Sequence, residues 1–284
     1  MKRRSWLFVP GNHERKLNKA SSLPADVIIV DWEDAVPEAE KRIARELTAR
    51  FLPSGGEKEI YIRINSTDSP FFREDLQALP LRGLTGLVLP KAEERSQLEG
   101  LDQALQSLEK GAGIAVGRIR VVPLIESARG LVQTAEVAAA PRVQALAFGS
   151  VDFTLDIDAR LTQSGKELLY VRSRLVILSR VAGIEPPIDG VQPDLSDGER
   201  LRAESRQVRD LGFQGKLAIH PEQLSVIHDS FQPTATEVEE AKRIVEAYED
   251  GLRQGSGAVQ VGGMMVDRPV VERAQRLLKQ AGEG

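Results

Sequence analysis

Short apolar runs recur along this chain, each closed by a polar or turn residue and followed by a charged, helix-like stretch. The runs are Ser5 to Val9, Ala25 to Val30, Glu59 to Ile64, Gly86 to Leu89, Ile119 to Ile125, Val143 to Phe148, Ile188 to Val191 and Lys216 to Ile219. The second is unbroken and rich in β-branched residues, the pattern of a strand buried on both faces in a parallel sheet. The seventh has the weakest pattern. Between the runs the spacing predicts a basic helix over His13 to Leu23 and a charged one over Glu38 to Phe51, followed by the turn Pro53-Ser54-Gly55-Gly56. Further helices are predicted from Glu94 to Leu108, between the fifth and sixth runs up to Pro141, and from Lys166 to Val181. The last keeps three- and four-residue apolar spacing through Leu168, Val171, Leu175, Leu178 and Ala182. Another is capped by Ser196 or Asp197 and closed by Gly212.

Eight strands alternating with helices predict an α/β fold, a (β/α)8 TIM barrel spanning residues 1–231. The competing fold is a doubly wound open sheet. Its usual glycine-rich phosphate loop after the first strand is missing from Pro10-Gly11-Asn12-His13.

The pattern changes after residue 231. Thr234 and Glu237 form a capping box ahead of Val238, Ala241, Ile244, Val245 and Tyr248. Ala258 to Val266 contains Gly262-Gly263 between apolar runs and reads as a hairpin. Asp267 then precedes Pro269 and a last helix with Val270, Ala274, Leu277 and Leu278. This extension, 232–284, cannot bury its apolar faces alone; it packs either under the barrel or onto a neighbouring subunit.

Composition narrows the class. With 284 residues, 41% hydrophobic and 28% charged, the chain supports a sizeable core without staples. It has no cysteine, which excludes disulfides, thiolate nucleophiles and Cys-based metal sites. A formal charge of −4 argues against a nucleic-acid partner. Lys2-Arg3-Arg4 could open a secretory signal, but the apolar run from Trp6 stops at Pro10-Gly11, too short for one. No run approaches membrane-spanning length, so a soluble cytoplasmic protein is expected.

In a barrel the strand exits converge on one mouth, where chemistry sits. Reading the exits gives Asp31, Glu33 and Asp34, then Arg63, Lys91, Glu126, Asp152 and His220. Glu126 follows the run Val121 to Ile125, and Asp152 follows Ala145 to Phe148. Each is either a helix cap or one of a pair of oxygen ligands. As ligands, two carboxylates without histidine or cysteine suit Mg²⁺, or Mn²⁺, rather than zinc. Arg63 at a strand end is a clamp for a substrate carboxylate, half of an internal ion pair with Glu33 or Asp34, or both at once, with the acid orienting the arginine. Glu33, Asp34 and Lys91 are counted with Arg63 and Glu126 on the substrate side of the mouth. Lys91 and His220 are equally readable as solvated loop and structural residues. Arg15, Lys16 and Lys19 make a basic face that either meets phosphates or is simply solvated.

Several stretches in order resemble the citrate lyase beta subunit-like proteins of the HpcH/HpaI aldolase and citrate lyase family. They are Arg4 to Gly11, Asp31 to Val36, Ile62 to Asn65, Val88 to Lys91, Leu124 to Gly130, Ala147 to Phe153, Ala218 to Pro221 and Met265 to Val271. The resemblance covers nearly the whole chain. It implies a TIM barrel with Mg²⁺ on Glu126 and Asp152 and a keto-acid carboxylate, such as that of oxaloacetate, on Arg63. The implied activity is cleavage or formation of a carbon–carbon bond in a hydroxyacyl thioester such as citryl-, citramalyl- or malyl-CoA. It further implies a homotrimer in which Asp267 enters a neighbour's site as acid and base, and contacts from Arg15 and Lys19 to CoA phosphates. The family more often has leucine where this chain has Trp32, whose ring either trims the pocket or packs. Two rivals are a class II aldolase on free pyruvate-type keto acids, and a keto-acid-binding subunit that needs acyl-carrier partners.

Overall fold

The computed structural model describes residues 3–52 and 58–283. Lys2 and the turn at 53–56 lie outside the described residues. Eight strands close a parallel barrel in sequence order: β1 (Ser5–Pro10), β2 (Val27–Asp31), β3 (Glu59–Arg63), β4 (Gly86–Leu89), β5 (Arg120–Ile125), β6 (Ala147–Phe148), β7 (Ile188–Asp189) and β8 (Gly215–Ala218). β1 pairs with both β2 and β8, which leaves no open edge and excludes the doubly wound sheet.

Burial follows from the two faces of each strand. Val27, Ile28, Ile29 and Val30 are all fully buried, alternate residues facing the lumen or the surrounding helices. Trp6, Val27, Ile29, Tyr61, Val122, Leu124 and Leu217 belong to the lumen cluster. Continuing that alternation by one step along β2, β3 and β5 brings Asp31, Arg63 and Glu126 to the C-terminal end of the lumen. The functional side chains are thus the top layer of the row of lumen residues.

Helices follow the strands: α1 (Glu14–Ala20), α2 (Lys41–Phe51), α3 (Phe72–Ala78), α4 (Arg95–Ala112), α5 (Ala128–Ala138), α6 (Ser150–Asp156), α7 (Leu169–Ala182), α8 (Gly198–Leu211) and α9 (Gln223–Phe231). Asp197 caps α8 by accepting from Arg200 N, and Gly212 ends it at φ 107°. α9, which buries Leu224 and Ile227 three residues apart, was not predicted although it carries a short apolar period, and α3 and α6 were not legible from spacing. α3 buries only the polar Asp75, and α6 is seven residues long, so neither carries an apolar period to read. β6 is shorter than its apolar run because Val143 makes only an isolated bridge to Val121. β7 is two residues long, yet Asp189 accepts from Lys216 Nζ at 2.5 Å and from Arg172 Nε at 2.9 Å, all three side chains being buried. That network ties the shortest part of the wall to α7 and β8.

The chain divides into two compact units, Met1–His228 and Asp229–Gly284, the division falling within α9. The second unit contains α10 (Ala235–Arg253), a hairpin of β9 (Val259–Val261) and β10 (Met264–Val266), and α11 (Arg268–Ala281). Thr234 and Glu237 complete both halves of the capping box. Gly262 and Gly263, at φ 57° and 87°, supply the two left-handed residues of a tight hairpin turn. Ala241, Ile244, Val266, Val271 and Ala274 form this unit's own buried cluster. Among the described residues no helix is long and apolar enough to cross a membrane.

Candidate active site at the barrel mouth

Glu126 extends the inward row of β5 by one residue, and its side chain is almost wholly buried. It is not a helix cap. Ser127 fills that role, its hydroxyl accepting from Gly130 N at the start of α5. Glu126 Oε1 accepts from Lys91 N at 2.7 Å. Lys91 adopts φ 50°, a left-handed backbone unusual for a side chain of its size, and so aims its N–H into the mouth. Gly149 leaves room for the carboxylate: a Cβ there would lie 2.6 Å from Glu126 Oε2 and 2.5 Å from Glu126 Cβ.

Burial pushes the Glu126 carboxyl up to about 8, and the neighbouring charges of Glu33 and Asp152 push in the same direction. Asp152 is exposed and lies inside the first turn of α6, so it does not stand ahead of a helix as Glu126 does. The N-cap is Gly149, so Asp152 is the third residue of α6 and not the residue that leaves the strand. Glu33 is buried too and is raised to about 7, first by desolvation and then by Asp34 and Asp31 against the opposing pull of Arg63 and Lys91. Its Oε2 has no hydrogen-bond partner, although Arg63 Nη1 lies 3.0 Å away.

A Glu126 carboxyl raised first by burial and then by the charges of Glu33 and Asp152, beside a Glu33 with an orphaned buried oxygen, fits a hard divalent cation. Among the described residues no group of three or more acidic, histidine or cysteine side chains forms a metal cage. Two acids suit Mg²⁺, which keeps most of its positions for water and substrate oxygens.

Arg63 closes β3 and is buried among acids. Nε donates to Asp31 Oδ1 at 2.8 Å and Nη2 to Asp31 Oδ2 at 2.6 Å. Nη1 donates to Asp34 Oδ2 at 3.2 Å. Burial works against its charge, but Asp31, Glu33 and Asp34 outweigh it and hold the guanidinium pKa above the ordinary arginine value. The expected ion pairs with Glu33 and Asp34 are therefore present, but the main partner is Asp31, which the sequence reading noted at a strand exit without assigning it a role. The signal was available: Asp31 continues the lumen row of β2, in register with Arg63 across the ladder.

Lys91 Nζ is 4.0 Å from Glu33 Oε1, and its ammonium is largely exposed. Trp32 points away from the mouth. It is fully buried, donates from Nε1 to Thr48 Oγ1 on α2 at 2.8 Å, and packs close to Gly11. It does not trim the pocket. A cavity of about 290 Å³ between β1, α1 and the end of β8 is lined by residues including Phe8, Pro10, Lys16, Lys19 and His220. Arg15 is exposed on α1 and does not line it. Asp267 belongs to the second unit, at the N-cap of α11, exposed and without a capping hydrogen bond from its side chain.

A closed parallel barrel with carboxylates and a buried arginine at its C-terminal mouth defines a TIM-barrel protein whose mouth carries side chains of the kind that could hold a metal and a carboxylate. The chain belongs to the HpcH/HpaI aldolase/citrate lyase family, whose profile matches residues 4–221. It is 37% identical to the citrate lyase subunit beta of Leuconostoc mesenteroides subsp. cremoris over 282 residues, covering 98% of this chain and 93% of that one. It is 33% identical over 280 residues to a (3S)-malyl-CoA thioesterase of Cereibacter sphaeroides, covering 98% and 94%. Among solved structures, the CitE protein of Mycobacterium tuberculosis in complex with magnesium, acetoacetate and coenzyme A superposes with a TM-score of 0.83. That similarity spans 99% of both chains at 30% identity.

Proposed function

We propose that this protein is a Mg²⁺-dependent carbon–carbon lyase acting on a hydroxyacyl-CoA thioester. The observation that carries the reading is the placement of buried Glu126 and buried Arg63 in one mouth, with the charge of Asp152 acting on Glu126. Glu126 and Asp152 would hold the cation. When bound, Mg²⁺ supplies electrophilic assistance at the oxygen of the carbon to be cleaved. Arg63 binds the carboxylate next to that carbon and fixes its orientation.

Asp267, contributed by a neighbouring copy, removes the hydroxyl proton of the substrate. The carbon–carbon bond breaks, and its electron pair passes to the thioester fragment as an enolate. Protonated Asp267 returns the proton to that carbon, leaving a 2-keto acid such as oxaloacetate and a shortened acyl thioester. The proposal includes a homotrimer, with the second unit of each copy packing on a neighbour, and a cytoplasmic location. Lys19, with Lys16 beside it, meets the CoA phosphates along the cavity between β1 and β8; Arg15 is the outlying member of that basic face. Glu33, Asp34 and Lys91 set the charge around the bound keto acid.

The test is incubation of the purified chain with Mg²⁺ and citryl-, citramalyl- or malyl-CoA, with products resolved by mass spectrometry. A keto acid appearing in step with a shortened acyl-CoA is the expected result. The thioesterase relative favours a second reading, hydrolysis, which releases free CoA and the intact hydroxy acid. Cleavage of free keto acids but no thioester, or no turnover without acyl-carrier partners, would overturn the proposal.

A further inference from the structure

Asp31 ends β2 with 1% of its surface exposed, and none of the steps above uses it. A carboxylate so removed from water is stable as an anion only when its oxygens are fully hydrogen-bonded. Those bonds are present. Oδ1 accepts from Arg63 Nε and from Glu33 N at 2.9 Å, and Oδ2 accepts from Arg63 Nη2 and from Ala35 N at 3.1 Å. The pair with Arg63 is a two-point fork, which fixes the plane of the guanidinium as well as its place. Phe8 supports one face, its ring centroid 4.9 Å from Arg63 Cζ.

The fork consumes the Nε–Nη2 edge of Arg63. What remains is the Nη1–Nη2 edge, where, among the described residues, Nη1 meets Glu33 and Asp34. Asp34 is two-thirds exposed and its contact is long, so an incoming carboxylate displaces it at little cost.

We propose that Asp31 is the positioning residue of this site: by occupying one edge of Arg63, it commits the other edge to the substrate carboxylate. This rests on the reading of Arg63 as the carboxylate clamp. The N–H groups of Glu33 and Ala35 in turn hold the Asp31 carboxylate in the orientation the fork requires. Without the fork, Arg63 stays charged but its rotamer freedom must be lost on binding, which weakens the ligand rather than the metal.

The experiment is calorimetric titration of Mg²⁺, and then of oxaloacetate at saturating Mg²⁺, into the full chain and its Asp31→Asn, Asp31→Glu, Arg63→Ala and Asp31→Asn/Arg63→Ala variants. Asn keeps the size of the side chain but turns a donor toward the arginine; Glu keeps the charge but moves the fork. Both single changes are expected to weaken oxaloacetate at least tenfold and to leave Mg²⁺ affinity within twofold. The double variant should bind oxaloacetate no more weakly than Arg63→Ala alone, because Asp31 acts through the arginine. Parental oxaloacetate affinity in either Asp31 variant would sink the proposal, and so would an additive loss in the double variant. Failure of the clamp reading looks different: Arg63→Ala would then bind oxaloacetate as well as the parent.

Discussion

Gly149 shows how closely the mouth is built around one carboxylate. Its φ of −91° is open to any residue, so the requirement for glycine is space for Glu126 and not backbone freedom. Gly149→Ala is expected to force the start of α6 away from the end of β5, because its nearest clash is with Glu126 Cβ and not only with the carboxylate. It should so displace that carboxylate and weaken Mg²⁺ roughly tenfold to a hundredfold, as for loss of a group that orients a ligand. Titration of Mg²⁺ into parent and variant checks this; equal affinity would mean that the placement of Glu126 does not matter to the metal. Glu126 itself was legible in the sequence, because an acid directly after an apolar run has few structural excuses. Asp31 was less so. It stands in an acidic cluster with Glu33 and Asp34, and a string of residues does not say which acid faces an arginine on the next strand. Trp32 was ambiguous for the same reason, since the face it takes depends on strand register.

Elements with a strong apolar period were legible, and those held by polar contacts were not. α4 was read from its period and ends at left-handed Gly113, but the loop after it is held by polar chemistry: Glu109 is fully buried and accepts from Arg142 Nη1 and Nη2 and from the backbone N–H groups of Gly117 and Ile119. Burial raises the Glu109 pKa, but those hydrogen bonds outweigh it and lower the group from 4.5 to about 2. A folded pKa below the unfolded one means stability that is fully present above pH 4.5 and lost as pH falls toward about 2. The stability difference between the parent and Glu109→Gln, measured by urea denaturation, should therefore be constant near neutrality and shrink across that window. A difference that does not vary with pH there would show that the carboxylate's charge contributes nothing. α3 sits on the same kind of chemistry, with buried Asp75 taking Arg45 Nε at 2.8 Å and Asn65 Nδ2 at 2.6 Å. Partners so distant in sequence leave no local trace.

For the whole molecule the open question of the sequence was residues 232–284. They form a unit with its own core, and the candidate acid and base, Asp267, stands exposed at a helix start within it. If Asp267 serves a neighbour's mouth, Asp267→Asn should retain Mg²⁺ and oxaloacetate binding and lose turnover. Mixing that variant with Glu126→Gln, each inactive alone, should then restore activity at roughly a quarter of the sites of randomly reassembled oligomers. No recovery after verified subunit exchange would place the acid and base elsewhere.

The sequence by itself determined the barrel, its order of strands and the acids and arginine at their exits. Those properties are written in local periodicity: alternation along a strand decides which residues share the lumen, and the exit residue of each run must lie at the mouth. The pairings were decided only by the tertiary structure. Which carboxylate forks Arg63, which glycine makes room for Glu126 and which backbone N–H holds it depend on the angles at which neighbouring strands and loops meet. No local period records those angles.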